Sequence, residues 1–354
     1  MQTQFPIKRI FYALTAVIVM LVIVTAWLNT EQNFSTSISI FATRFLGIFI
    51  EAAPFLLLGT IASGLIEAFV SADDIARFVP KNPILATLLG SVLGFTFPVC
   101  ECGVVPVVRR LYTKGLPISV GITFLLAAPV INPVVLVATY VAFGFGPVLI
   151  GRFVITIVIS IIVGLVFAFR GHAREILQPA ARMPLAPVMG GSGDSIAMNI
   201  DPKEVIPLYQ KTPRRSLGSG IKVALRMAGD EFFEMGRYMI FGSMIAAGMQ
   251  MLISQDVLLA LGRGPVVSVL IMQVLAFVLS VCSTVDAFLA LAFTNTFTTG
   301  SILSFLTFGP MVDIKSMMMF RGVFTTRIVL YLILLPFLLA LLIGVWINLN
   351  IAFV

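Results

Sequence analysis

Apolar residues run in long, nearly unbroken stretches along most of this chain. Residues 10–28 carry no charge, residues 147–169 carry only Arg152, and residues 328–347 again carry none. A run of about 18 or more apolar residues is long enough to cross the hydrocarbon core of a bilayer as a helix. The period-two alternation of a membrane β-barrel is absent. The pattern predicts an all-α, polytopic integral membrane protein with about 7–10 membrane segments. Lys8 and Arg9 precede the first apolar run. That run exceeds the roughly 7–15 residues of a secretory h-region, and no small-x-small cleavage site follows it. Residues 1–40 therefore read as a retained signal-anchor helix and an outer loop.

The rest of the chain reads as one pattern written twice. Val99-Cys100 recurs as Val281-Cys282, 182 positions later. Thr123-Phe124-Leu125 with Pro129 and Asn132 recurs as Ser304-Phe305-Leu306 with Pro310 and Asp313, 181 positions later. Glu51 and Gly59 recur as Glu234 and Gly242, 183 positions later. Three landmarks in one order at a near-constant offset define a first membrane repeat at 41–169 and a second at 228–354, joined by a linker at 170–227. Between Arg170 and Arg226 the linker holds nine Lys/Arg and four Asp/Glu, with Pro179, Pro184, Pro187 and the run Gly190-Gly191-Ser192-Gly193. Its charge makes it cytoplasmic, as Lys8 and Arg9 make the N-terminus. An even number of crossings must then separate the two.

Within the first repeat, the polar stretch Pro98-Val99-Cys100-Glu101-Cys102-Gly103 interrupts an apolar segment, and Arg109, Arg110 and Lys114 follow it. This predicts a re-entrant hairpin over 83–115 with its cysteine tip inside the bilayer. The next crossing is broken at Pro129-Val130-Ile131-Asn132-Pro133. In the second repeat the same elements should run with opposite polarity. The segment Thr294–Gly300 carries no charge, as expected outside, while Lys315, Arg321 and Arg327 should lie at the cytoplasmic end. The repeats thus read as inverted, a common plan of secondary transporters.

Composition sharpens the class. Of 354 residues, 59% are hydrophobic and 11% charged, with a mean hydropathy of +1.07; soluble domains carry about 25% charged residues. The net charge of +7 belongs to cytoplasmic-type loops and does not point to nucleic acid. Three cysteines and one histidine exclude a disulfide framework or zinc-finger spacing. No Walker A, His-Glu-x-x-His or Gly-x-Ser-x-Gly pattern occurs, so neither ATP-driven pumping, an enzymatic site nor a cofactor is expected.

Irregular backbone at membrane depth survives only where protein buries it or water reaches it. The candidate breaks are 98–103, 129–133, 282–286 and 309–313. Thiolates are soft ligands, so Cys100, Cys102 and Cys282 converging would suit a thiol-seeking metalloid or soft metal, with Cys100 and Cys102 as the metal-binding pair. Glu51, Glu234 and Asp286 are candidates for proton coupling, because intramembrane carboxylates are costly and mark pathways or relays. Glu101 joins the thiols as a substrate-binding candidate. Asn132 and Asp313 share a repeat position, where each would either satisfy backbone freed by the break or contact substrate. Arg152 is expected to snorkel to the interface.

The stretch Pro98-Val99-Cys100-Glu101-Cys102-Gly103-Val104-Val105-Pro106, then Lys114-Gly115, then Leu126-Ala127-Ala128-Pro129-Val130-Ile131-Asn132-Pro133, resembles the bacterial ArsP/YraQ-like predicted permeases. The resemblance implies an inner-membrane permease. Characterised relatives export trivalent organoarsenicals with cysteines as proposed ligands, a role that would fall on Cys100 and Cys102, with Cys282 third. Where a small residue is common between the cysteines, Glu101 stands here, which favours a cation or a protonatable site over a neutral arsenical.

The expectation is a secondary permease, an exporter of the bacterial cytoplasmic membrane. It would meet the lipid bilayer and a small-molecule or ion substrate, as a homo-oligomer or with an accessory subunit. A membrane thiol-redox or sulfur-handling protein is the alternative from another class. A non-transporting subunit of a membrane complex is the third.

Overall fold

The computed structural model describes residues 34–80, 82–97, 99–170, 217–252 and 264–350; the expected N-terminal anchor and most of the linker, with His172, lie outside them. The described residues form helices α1 (Phe34–Phe69), α2 (Ala72–Phe78), α3 (Pro83–Thr96), α4 (Glu101–Thr113), α5 (Ile118–Ile131), α6 (Pro133–Phe143), α7 (Pro147–Arg170), α8 (Leu217–Leu252), α9 (Val267–Leu279), α10 (Asp286–Leu291), α11 (Thr299–Met311), α12 (Ile314–Val323) and α13 (Thr326–Asn350). Among the described residues, five helical stretches are long and apolar enough to cross a membrane: Ile38–Phe69, Ile118–Phe143, Pro147–Phe169, Thr299–Val323 and Thr326–Asn350. The protein is an all-helical, polytopic membrane protein.

Helices α3 and α4 span about 20 Å each at 1.5 Å per residue, too short for a core about 30 Å thick. They form a hairpin. Ala86 near the start of α3 packs with Leu116 and Val120 just beyond α4, and Pro83 and Gly115 border one pocket. The turn at Cys100 is therefore a tip. A second hairpin is built from α9 and α10. Its two ends meet where Ser301 donates to Ser268 Oγ at 2.8 Å, next to Thr298. Its tip includes Ser280, the one described non-glycine residue with left-handed backbone (φ 49°). Its hydroxyl holds that conformation, accepting from Ile314 N–H at 3.2 Å and donating to Phe277 O at 3.1 Å.

The inner pair α5 and α11 is buried along nearly its whole length, while α1, α7 and α13 show exposed leucine, isoleucine and valine to lipid. Each inner helix packs against the last long helix of its own half through the same contact. Thr123 Oγ1 lies 3.3 Å from Ser160 O and Ser304 Oγ donates to Ala340 O at 2.8 Å. A glycine stands beside each. A Cβ on Gly164 would come within 2.0 Å of Thr123 Oγ1, and one on Gly344 within 3.2 Å of Ser304 Oγ. Small residues let helices approach closely where lipid gives no hydrophobic drive to association.

Both inner helices end at breaks with a local cause. Pro133 disfavours helical backbone at Asn132, which sits at φ −66°, ψ 154° and opens α6. Its side chain replaces the lost bonds, accepting from Val135 N–H at 3.0 Å and donating to Ala128 O at 3.1 Å. Asp313 does the same for α12 through a capping box with Ser316.

The first helices of the two halves, α1 and α8, pair antiparallel over most of their length. Arg44 donates to Gln250 O, Ile48 packs with Ala246, Gly64 meets Ala224 O and Phe69 covers Gly220. Gly59 of α1 meets Gly103 of α4 backbone to backbone, and a Cβ on Gly59 would stand 2.3 Å from Gly103 Cα. Gly59→Ala should therefore force α4 off α1 at a cost of about 1–3 kcal/mol, lowering the thermal midpoint of purified protein. Gly47→Ala, with nothing within 4 Å of the new methyl, should leave that midpoint unchanged.

Candidate substrate site

The hairpin tips and helix breaks meet in one buried region. Each break touches the tip of its own half. Asn132 Nδ2 lies 3.3 Å from Val99 O, and Ile314 N–H reaches Ser280 Oγ. Each tip is also joined to the opposite half by a buried ion pair. Glu101 is the first residue of α4, and Lys315 of α12 lies 3.4 Å from its Oε1. Asp286 is the first residue of α10, and Arg152 of α7 grips it with two bonds of 2.8 and 3.0 Å.

These two pins differ in quality. Arg152 is 0% exposed, and its guanidinium also donates to Thr139 Oγ1 at 3.0 Å and faces Ser283 O at 3.4 Å. Such a bidentate pair is the strong form of a charge-assisted bond. Arg152 therefore does not snorkel to the interface: Asp286 offers a buried partner of opposite charge, so the guanidinium stays inside. Lys315 is 1% exposed and shared between Glu101 and Asp313, the latter at 3.5 Å. Glu101 Oε2 and Asp313 Oδ2 are buried without a hydrogen bond. Nor does Lys315 lie at the cytoplasmic end where loop charge places it. Two carboxylates hold it in the interior.

Around this looser pin stand the thiols. Cys100 and Cys102 are free, buried and within electrostatic reach of one another. Cys282 is free and buried in the same cluster, and Lys315 is within electrostatic reach of both Cys102 and Cys282. Glu51 of α1 lies beside the backbone of Cys282 and within reach of Lys315, with its Oε1 unbonded. Among the described residues no group of three or more His, Cys, Asp or Glu stands at metal-holding spacing. The ammonium of Lys315 occupies the middle of the cluster instead.

A family model described as ArsP_1, predicted permease, matches residues 37–349. The chain belongs to this permease family. It is 42% identical over 290 residues to UPF0718 protein YcgR of Bacillus subtilis (strain 168), covering 82% of this chain and 90% of that protein. It is 39% identical over 291 residues to a protein of Streptococcus mutans serotype c named putative two-component membrane permease complex subunit, covering 81% and 87%. No solved structure matches the permease. The family and the fold support a membrane transporter.

At the base of the first hairpin the permease carries a second charge cluster, separate from the thiols. Arg109 binds Glu234 at 2.7 Å; Arg110 lies 3.6 Å from Glu67 and 3.7 Å from Glu231; Lys114 lies 3.4 Å from Glu67 and donates to Glu67 O and Val70 O. Ser63 donates to Glu231, which is wholly buried. Three cations of α4 thus meet three carboxylates of α1 and α8. Glu234 belongs here, away from the thiols; Glu51 lies among them, and Asp286, held by Arg152, stands one turn from Cys282, its N–H bonded to Cys282 O at 3.0 Å. Charge pairing explains how α8 carries Glu231 and Glu234 into the bundle, while Asp230 and Arg237 on the same helix are exposed.

Lys315, Arg152 and Arg110 are the site and framework residues that linear reading misses. The usable signal for the first was its place two residues after Asp313, in a break already marked by the repeat. Removing one partner of a buried pair costs about 3–5 kcal/mol, because the other is left charged and unpaired. Arg152→Gln or Asp286→Asn should therefore lower the thermal midpoint of the permease sharply. Arg152→Met combined with Asp286→Leu should recover most of the loss.

Proposed function

We propose that the chain is a secondary permease of the bacterial cytoplasmic membrane that exports a soft metalloid or metal species, trivalent organoarsenicals among the candidates. The substrate binds between the hairpin tips, with Cys100 and Cys102 as its ligands. The observation that carries this reading is the convergence of both tips and both breaks on one buried cluster containing two paired thiols. A scaffold protein has no use for interrupted helices at depth, whereas a transporter gains ligands from them. Cys282 and Glu51 border the same cluster and complete its wall. Asn132 and Asp313 serve it as caps that hold the breaks open.

The two halves are taken as inverted repeats, with each hairpin entering and leaving on one side. The antiparallel pairing of their first helices, α1 and α8, supports this. Alternating access then becomes a movement of the hairpins against the α1–α8 pair. The reading as a thiol-redox protein is disfavoured by burial: Cys102 is fully enclosed, out of reach of a soluble carrier. The Streptococcus relative named as a subunit of a two-component permease complex suggests that this chain also works with an accessory subunit.

Export from cells challenged with trivalent arsenicals, antimonite and soft metal ions tests the reading. Intracellular accumulation of at least one should fall when wild type is expressed, and Cys100→Ser/Cys102→Ser should return it to the empty-vector level. Equal accumulation in all three strains across the panel would remove the soft-substrate reading. For the subunit, affinity purification of the tagged full chain from its native membrane should retain one stoichiometric integral-membrane partner. Recovery of the chain alone would exclude a stable complex.

A further inference from the structure

We propose that Lys315 occupies, in the empty permease, the place that a cationic substrate takes beside Glu101 and the Cys100–Cys102 thiols, so that binding requires its displacement. This rests on the reading of the tips as the substrate site and deepens it. It names the substrate class, a soft cation, and a specificity-determining residue outside both the Cys-x-Cys turn and the repeat landmarks.

Glu51, Glu101 and Asp313 come from three elements, α1, the first tip and the α11–α12 break, and among the described residues Lys315 is the cation placed between them. Glu101 and Lys315 are 2% and 1% exposed. Isolated charge in such surroundings is expensive, and one ammonium among three acidic side chains leaves more acid than base. Glu101 Oε2 and Glu51 Oε1 are buried without a hydrogen bond, and Asp313 Oδ2 meets only the ammonium of Lys315, at 3.5 Å; these oxygens mark where further positive charge is wanted.

The Lys315–Glu101 contact at 3.4 Å is longer than the roughly 2.7–2.9 Å of a strong charge-assisted bond. The Arg152–Asp286 pin has two bonds, both shorter than that contact, at 2.8 and 3.0 Å. One tip is thus fastened to the opposite half by a bidentate pair. The other, which carries the thiols, is held by a shared and loosely bonded ammonium. A flexible lysine stem can withdraw where a forked guanidinium cannot without breaking two bonds at once. A cation ligated by the thiols and by Glu101 would repel the ammonium at close range and inherit its carboxylate.

Silver(I) is the probe, added to purified full-length permease in lipid nanodiscs, with affinity read by calorimetry. Wild type should bind, and Cys100→Ser/Cys102→Ser should not. Lys315→Gln should bind at least about tenfold more tightly, since a repelling charge a few ångströms away is gone. Lys315→Arg should bind as weakly as wild type or more so. Glu101→Gln should weaken binding, and Lys315→Gln/Glu101→Gln, which removes the pair together and guards against misfolding of the single variants, should bind no better than Glu101→Gln. Unchanged or weaker binding by Lys315→Gln while wild type binds would overturn the displacement role and leave the thiol site standing. No binding by wild type would overturn both.

Discussion

A peptide group left open inside a bilayer has no water to bond, and each such group costs several kcal/mol. The architecture of this permease follows from meeting that constraint four times. Its two tips and two breaks are all interruptions of helix, and none would survive facing lipid. They survive by facing each other. Asn132 caps α6 and reaches Val99 O. Asp313 caps α12, whose first N–H is taken by Ser280. The outer helices α1, α7 and α13 need only be apolar and long, because the backbone they shield is already paired.

The same logic governs charge. A lone carboxylate at depth would be unaffordable, so the cations and acids come in sets: Arg152 with Asp286, Lys315 with Glu101 and Asp313, and the α4 base with Glu67, Glu231 and Glu234. The sets are unequal. Two are close to balanced and serve as fastenings. The third holds more acid than base and sits against thiols.

Much of this was readable in the chain. Hydropathy marks the spans. The repeat marks the breaks, and Thr123 and Ser304, matched in sequence, make matched contacts with Ser160 and Ala340 in space. Pro133 announces the extended Asn132, because the reason is local. Charge pairing was not readable. Arg152 finds Asp286 across 134 positions and Lys315 finds Glu101 across 214. A positive residue in a linear string looks like a loop anchor until its partner is known. Counting loop charge puts Lys315 at a membrane surface for that reason, while the breaks alone give no sign of which acid would meet it.

The cross-half pairs also impose a schedule on biosynthesis. Chains are made at about 5–20 residues per second. Glu101 is therefore synthesised about 10–40 s before Lys315 exists, and Arg152 waits for Asp286 for the better part of that time. For that interval the first half carries a carboxylate and a guanidinium that have nothing to neutralise them. It cannot settle its hairpin in the finished position alone. The nascent first half must hold these groups near water and close around them only when the second half arrives, which makes the two halves one folding unit even though each repeats the other's design.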